Sequence, residues 1–179
     1  MRERTRETPP RFKARIAGIF YLASFVVGIF GERCLRGRLG FAVGLLAVAC
    51  SAVMTLVLYD ILKMVHRGLA LLAASFNLVG LAFEAARWNP QSANIALVFH
   101  GFYCLLTGYL VFRSAFQPRI LGALMALAGL AWLAFLSLPL ANRLSPWNVA
   151  SGLLGEASLM LWLLAMGVNA RRWSARANV

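Results

Sequence analysis

LGFAVGLLAVACSAVMTLVLYDIL, residues 39–62, is uncharged until Asp60, near its far end. A helix rises 1.5 Å per residue, so about 20 apolar residues cross a hydrocarbon core roughly 30 Å thick. This stretch meets that requirement. Five more segments read the same way: Arg15–Gly31, Leu69–Ala86, Pro90–Phe112, Ile120–Leu138 and Pro146–Val168. Together the six consume most of the 179 residues and leave only short loops. The expectation is an all-α polytopic membrane protein, a six-transmembrane-helix bundle over residues 15–168. A flexible basic tail precedes it at 1–14, and a second basic tail follows at 169–179.

Composition agrees. The chain is 61% hydrophobic and 13% charged, with a mean hydropathy of +0.73. An ordinary soluble domain is about 45–50% apolar, and one of this length could not hide so much apolar surface. The net charge of +12 and pI near 11.2 would suggest nucleic acid in a soluble protein. Here the charges flank the apolar runs, and no base-stacking or groove-reading pattern accompanies them, so no nucleic acid is expected. Membrane lipids are the expected partner of the basic tail, since each Lys or Arg near an anionic surface contributes about 1 kcal/mol.

With six spans, Arg33, Arg36, Arg38, Arg87 and Arg143 fall on one side and the other thirteen of the eighteen basic residues on the opposite side. Cytoplasmic loops carry the excess of Lys and Arg, which puts both termini in the cytoplasm of a bacterial inner membrane. Termini on one side in turn require an even number of crossings, which six spans supply. The loop Glu32–Arg38 is the exception, with three arginines on the outer side. The basic start resembles a signal peptide, but no small-residue cleavage pattern follows Phe30, so this segment is read as a retained first helix. Nor does Arg33 before Cys34 fit a lipoprotein cleavage site. Three cysteines, Cys34, Cys50 and Cys104, give no disulfide framework.

Asn89-Pro90 and Ser145-Pro146 each put a capping residue before a proline at a helix start, and Pro139 is expected to close the fifth span. Trp88, Trp147 and Trp173 lie near span ends, where indole rings anchor in the headgroup zone. Gly40 with Gly44, Gly101 with Gly108, Gly122 with Gly129 and Gly152 with Gly155 are read as places where helix backbones approach closely in lipid. The sequence has no Gly-rich phosphate loop, dinucleotide fingerprint, His-Glu-x-x-His helix or Cys-x-x-Cys pair, and no cofactor is expected.

Ionisable groups in hydrocarbon are costly and face the bundle interior, so the few present point to function. His100 lies about 15 Å along its helix from Pro90, Glu156 about 15 Å from Pro146, and Asn77 about 15 Å from Arg67. Three polar side chains on three helices thus share one depth. They are the candidates for ligand binding or proton relay, with His100 donating a ring N–H to Glu156. The plainer reading is interhelical glue, each contact worth about 1 kcal/mol. His100 and Cys104 share a helix face at i,i+4, with Cys50 at comparable depth, which invites a soft-metal site. Without a further ligand a small buried thiol is the better reading, and no metal is expected. A bis-histidine haem is excluded, because His66 is at the inner surface. Glu84 with Arg87 and Asp60 with Lys63 are expected interfacial pairs, while Glu32 pairs with Arg36 or lines an outer vestibule. Tyr103, Tyr109, Thr107 and Ser158 are supplementary cavity candidates or packing residues.

Several stretches are similar to a bacterial membrane-protein family known as domain of unknown function 4386. They are Ala14–Leu22, Leu58–Lys63 running into Leu69–Phe76, His100-Gly101-Phe102 with Gly108–Ser114, Pro118–Gly122, and Gly155-Glu156 with Leu161–Leu164. The resemblance implies a polytopic inner-membrane protein and carries no reaction, although His100 and Glu156 fall within its motifs. The sequence departs from it just after Phe76, where Asn77 replaces an expected basic residue, and in a shortened loop after the first span.

The leading expectation is a non-enzymatic membrane protein that binds or passes a small solute, ion or lipid at a mid-membrane polar site. A chain this small would be helped in transport by homo-oligomerisation or an inverted repeat. The alternatives are an intramembrane enzyme acting on a lipid or quinone, with His100 as base oriented by Glu156, and a structural subunit of a membrane complex.

Overall fold

The computed structural model describes residues 9–34, 37–86, 90–169 and 173. Among them are α1 (Pro10–Cys34), α2 (Gly37–Leu62), α3 (Arg67–Ala86), α4 (Pro90–Arg113), α5 (Arg119–Leu133), α6 (Leu138–Leu144) and α7 (Trp147–Ala165). A 3-10 turn, Ala134–Leu136, prolongs α5, and the described residues contain no strand. Five segments are long and apolar enough to cross a membrane: α2, α3, Ala93–Arg113 of α4, Arg119–Leu136 and α7. In α1, Arg11, Lys13 and Arg15 occupy the first turns and the apolar run begins only at Ile16.

The surface is apolar where a soluble protein's would be polar. Leu46, Leu71, Leu130 and Leu161 are exposed, whereas Thr55, Asn77 and Glu156 are buried. In water this inversion would be unstable, but in lipid it puts greasy side chains against acyl chains and satisfies polar groups inside.

Each long helix packs on its sequence neighbours, α1 on α2, α2 on α3, α3 on α4, α4 on α5 and α5 on α7, and α7 returns to α1. The six long helices therefore form a closed ring. Backbones approach closely where α4 meets α5. A Cβ on Gly122 would stand 2.5 Å from the Phe112 nitrogen, one on Gly108 2.6 Å from the Ala126 nitrogen, and one on Gly129 2.7 Å from the Leu105 nitrogen. Such glycines let two backbones touch, as the small-residue spacing predicts. Gly80 does the same for α3 against Ala96 and Phe99 of α4.

Three boundaries differ from the sequence reading. The first helix begins at Pro10 instead of Arg15, and the Pro9 carbonyl accepts the Phe12 and Lys13 amides. Proline suits a first helical position because its missing N–H would be unpaired there. The α-helix of the fifth span ends at Leu133 and its 3-10 extension at Leu136, so Pro139 does not close it. Ser137 is extended and its carbonyl accepts the Ala141 amide, so Pro139 sits in the first turn of α6. The last helix starts at Trp147 with Pro146 at its N-cap position, and Ser145 makes no side-chain cap because it already ends α6. It stops at Ala165, where Gly167, with φ +66, turns the chain left-handed and donates its amide to the Trp162 carbonyl.

Trp147 is exposed, as an interfacial anchor would be, and the neighbouring Leu136, Leu138, Leu140 and Leu144 are exposed with it. Trp173 is instead buried with Phe116 and Val168 in the core, because the chain after α7 folds back and Asn169 donates to the Phe116 carbonyl. Trp88, Asn89, Arg87, Arg36 and the side chains of Glu32 and Cys34 lie outside the described residues.

Candidate functional site

The helix ring brings Asn77, His100 and Glu156 together. His100 Nδ1 is 2.8 Å from Asn77 Oδ1, and His100 Nε2 is 3.1 Å from Glu156 Oε1. Three residues that sequence reasoning passed over complete the cluster. Trp132 Nε1 donates to Glu156 Oε1 at 2.6 Å, and the Tyr21 hydroxyl donates to Oε2 at 2.9 Å. Asn77 Nδ2 donates to Thr55 Oγ1 at 2.6 Å. Tyr21 is on α1, Thr55 on α2, Asn77 on α3, His100 on α4, Trp132 on α5 and Glu156 on α7, so every long helix contributes one side chain.

Proton positions follow from the chain of bonds. Thr55 Oγ1 spends its single hydrogen on the Ser51 carbonyl, at 2.7 Å, and must therefore accept from Asn77 Nδ2. The amide oxygen of Asn77 is then left facing His100, which requires a hydrogen on Nδ1. The other ring nitrogen, Nε2, faces the carboxylate. Asn77 thus fixes the tautomer and the plane of the imidazole.

Local sequence explains the close fit. Gly152, one turn before Glu156, leaves the space that the Trp132 indole fills, since a Cβ there would lie 2.6 Å from the ring. Gly80, one turn after Asn77, lets α4 approach near His100. Of the six residues His100 alone retains appreciable exposure, 21% of its side chain, against 5% for the Glu156 side chain.

Cys104 joins from the next turn of α4 and is fully buried. The donor atoms of His100, Cys104 and Glu156 all lie within 4.8 Å of one another. Cys50 is half-buried and stands outside that group. Alongside, between α2, α3 and α4, Thr55, Tyr103 and Thr107 help line a recess with room for about one water molecule. The buried Thr107 hydroxyl lies there, and the Tyr103 hydroxyl donates to the Met54 sulfur at 3.5 Å.

The other polar residues that the sequence singles out make local contacts or lie exposed. The His66 ring accepts the Leu69 amide and caps α3. Asp60 pairs with Lys63 as its spacing predicts and also with Lys13 of α1, which the reading of residues 1–14 as a free tail did not anticipate. Tyr109 is exposed, and Ser158 bonds back to the Leu154 carbonyl. Glu84 is exposed near the end of α3.

A signal for Trp132 and Tyr21 exists in the sequence. Each places a polar hydrogen within an apolar run, where it needs a protein acceptor. Glu156 is the acceptor deep enough to serve both.

Comparison with known proteins returns a protein family and one distant relative. The family model described as Domain of unknown function (DUF4386) matches residues 85–167. An uncharacterized protein of Archaeoglobus fulgidus is 26% identical in an alignment 133 positions long that covers 68% of this chain and 80% of that protein. No solved structure matches the chain. Tyr21, Thr55 and Asn77 precede the matched stretch, whereas His100, Cys104, Trp132 and Glu156 lie inside it. The chain resembles the DUF4386 family, and the resemblance covers α4 to α7, which supply four of the residues gathered at the site.

Proposed function

We propose that this is a six-span protein of the bacterial inner membrane, with both termini cytoplasmic, that binds or passes a small solute, ion or lipid at the His100–Glu156 site. The sixth crossing is α1, whose apolar run from Ile16 packs between α2 and α7. Orientation rests on the distribution of Lys and Arg between the two sides.

One observation carries the reading. Each of six helices contributes a polar side chain to one cluster inside the ring, and its ionisable members converge where His100 keeps an exposed edge. Simple glue requires neither six contributors nor an open edge, because a single interhelical hydrogen bond in lipid contributes about 0.6 kcal/mol on average. An intramembrane ionisable pair facing the bundle interior is instead the usual mark of a ligand or ion site. The enzyme alternative draws less support, since both ring nitrogens of His100 are engaged and a base would first have to leave Glu156.

A density map of the protein in lipid nanodiscs tests this directly. The expected result is non-protein density against the exposed edge of His100, within reach of Glu156. A map in which that edge meets only acyl chains would reduce the cluster to glue.

A further inference from the structure

Glu156 supplies the ligand that the His100–Cys104 spacing lacks. We propose that His100 Nε2, Cys104 Sγ and a Glu156 carboxylate oxygen hold a borderline divalent transition metal ion such as zinc, with a fourth position open at the exposed edge of His100. This rests on the reading of the cluster as a ligand site and names the ligand.

Geometry comes first. Zinc binds nitrogen at about 2.0–2.1 Å, oxygen at about 2.0–2.2 Å and thiolate at about 2.3 Å, so ligand atoms around a tetrahedral ion stand roughly 3.3–3.8 Å apart. The His100–Glu156 separation is 3.1 Å, and all three donor atoms fall within 4.8 Å. Small side-chain shifts close the set. A mixed nitrogen, sulfur and oxygen set favours zinc over magnesium or calcium, which prefer oxygen alone.

The surrounding contacts are those a metal site needs. A ligating histidine donates its other ring N–H to an outer acceptor that fixes its orientation, and Asn77 Oδ1 stands in that position. Ligating carboxylates are in turn held by hydrogen bonds, here from the Trp132 N–H and the Tyr21 hydroxyl. Each carboxylate oxygen accepts one of these and keeps a lone pair for a metal.

Charge also balances. A dication with one thiolate, one carboxylate and one neutral imidazole sums to zero, and a neutral complex is the form that the middle of a bilayer tolerates. Without metal, the thiol keeps its proton and one proton is shared between His100 and Glu156, again giving zero. The exchange is one dication in and two protons out. Three protein ligands with an open fourth position are characteristic of sites where the ion reacts, whereas purely structural zinc is closed by four.

The test uses the full chain in detergent with Cys34→Ser and Cys50→Ser, leaving Cys104 as the single thiol, stripped with chelator and loaded with zinc or cobalt. The expected result is one equivalent of zinc, and a near-ultraviolet thiolate-to-cobalt band that Cys104→Ser abolishes while helical circular dichroism is retained. Glu156→Gln and His100→Gln should weaken zinc binding at least tenfold, and Asn77→Ala about tenfold or more through loss of the outer contact. If Cys104→Ser fails to fold, X-ray absorption of the zinc-loaded parent decides, with one sulfur at about 2.3 Å expected beside nitrogen and oxygen neighbours. Binding below a tenth of an equivalent, a cobalt band that survives Cys104→Ser, or an absorption spectrum without sulfur would overturn the assignment. Non-protein density at His100 without zinc binding would reject the metal and keep the ligand site, whereas losing both would remove the site itself.

Discussion

Two polar clusters in this molecule use the same chemistry in different surroundings. At the ends of α1 and α2, Lys13 and Lys63 flank Asp60 with side chains 23–35% exposed. In the middle of the ring, His100 faces a Glu156 whose side chain is 5% exposed. An exposed ion pair contributes about 0–1 kcal/mol and is screened by salt. A buried one depends on its whole set of partners, and removing one member leaves the others without theirs. Its position in the bundle, more than its charge, decides what each cluster does. The Asp60 cluster fastens two helix ends, and the Glu156 cluster joins six helices at one point.

The largest effect expected is for Glu156→Ala, which orphans the Trp132 N–H, the Tyr21 hydroxyl and His100 Nε2 together. It should lower stability by about 3–5 kcal/mol, read as a shift in denaturant-induced unfolding in mixed micelles. An unchanged midpoint would show that the network is not connected as described. Gly152→Ala should come next, at about 1–3 kcal/mol, because its Cβ would enter the Trp132 ring and push the indole away from Glu156. Trp132 fluorescence would report that displacement, and a spectrum identical to the parent would contradict it. The smallest effect should be that of Asp60→Asn, about 0–1 kcal/mol and smaller still in high salt. A loss as large as that of Glu156→Ala would erase the contrast between the clusters.

The helical architecture and the gathering of polar residues were legible for the same reason. Strongly polar groups are so scarce in the apolar runs that Asn77, His100 and Glu156 stand out, and the rise per residue puts them at one depth. Trp132 and Tyr21 were harder to see, because an aromatic ring within a span reads first as packing and only its polar hydrogen demands a partner. Pro139 departs from its expected role for a physical reason, since proline serves a helix start as readily as it ends one, and here it falls in the first turn of α6. The composition around Pro9 and Pro10 favours a flexible tail, yet the helix begins at Pro10 and carries Lys13 to Asp60. The metal reading lacked a ligand because Cys104 and Glu156 are far apart in sequence and meet only when α7 closes the ring beside α5.

The central claim is that the polar cluster inside the ring is open to something from outside, through His100. Hydroxyl-radical footprinting of the protein in nanodiscs, mapped by mass spectrometry, addresses it most directly because oxidation requires water near the side chain. The account predicts oxidation at His100, slower than at the exposed His66 but well above exposed apolar residues such as Leu46 and Leu71. Full oxidation of His66 with none at His100 would contradict it.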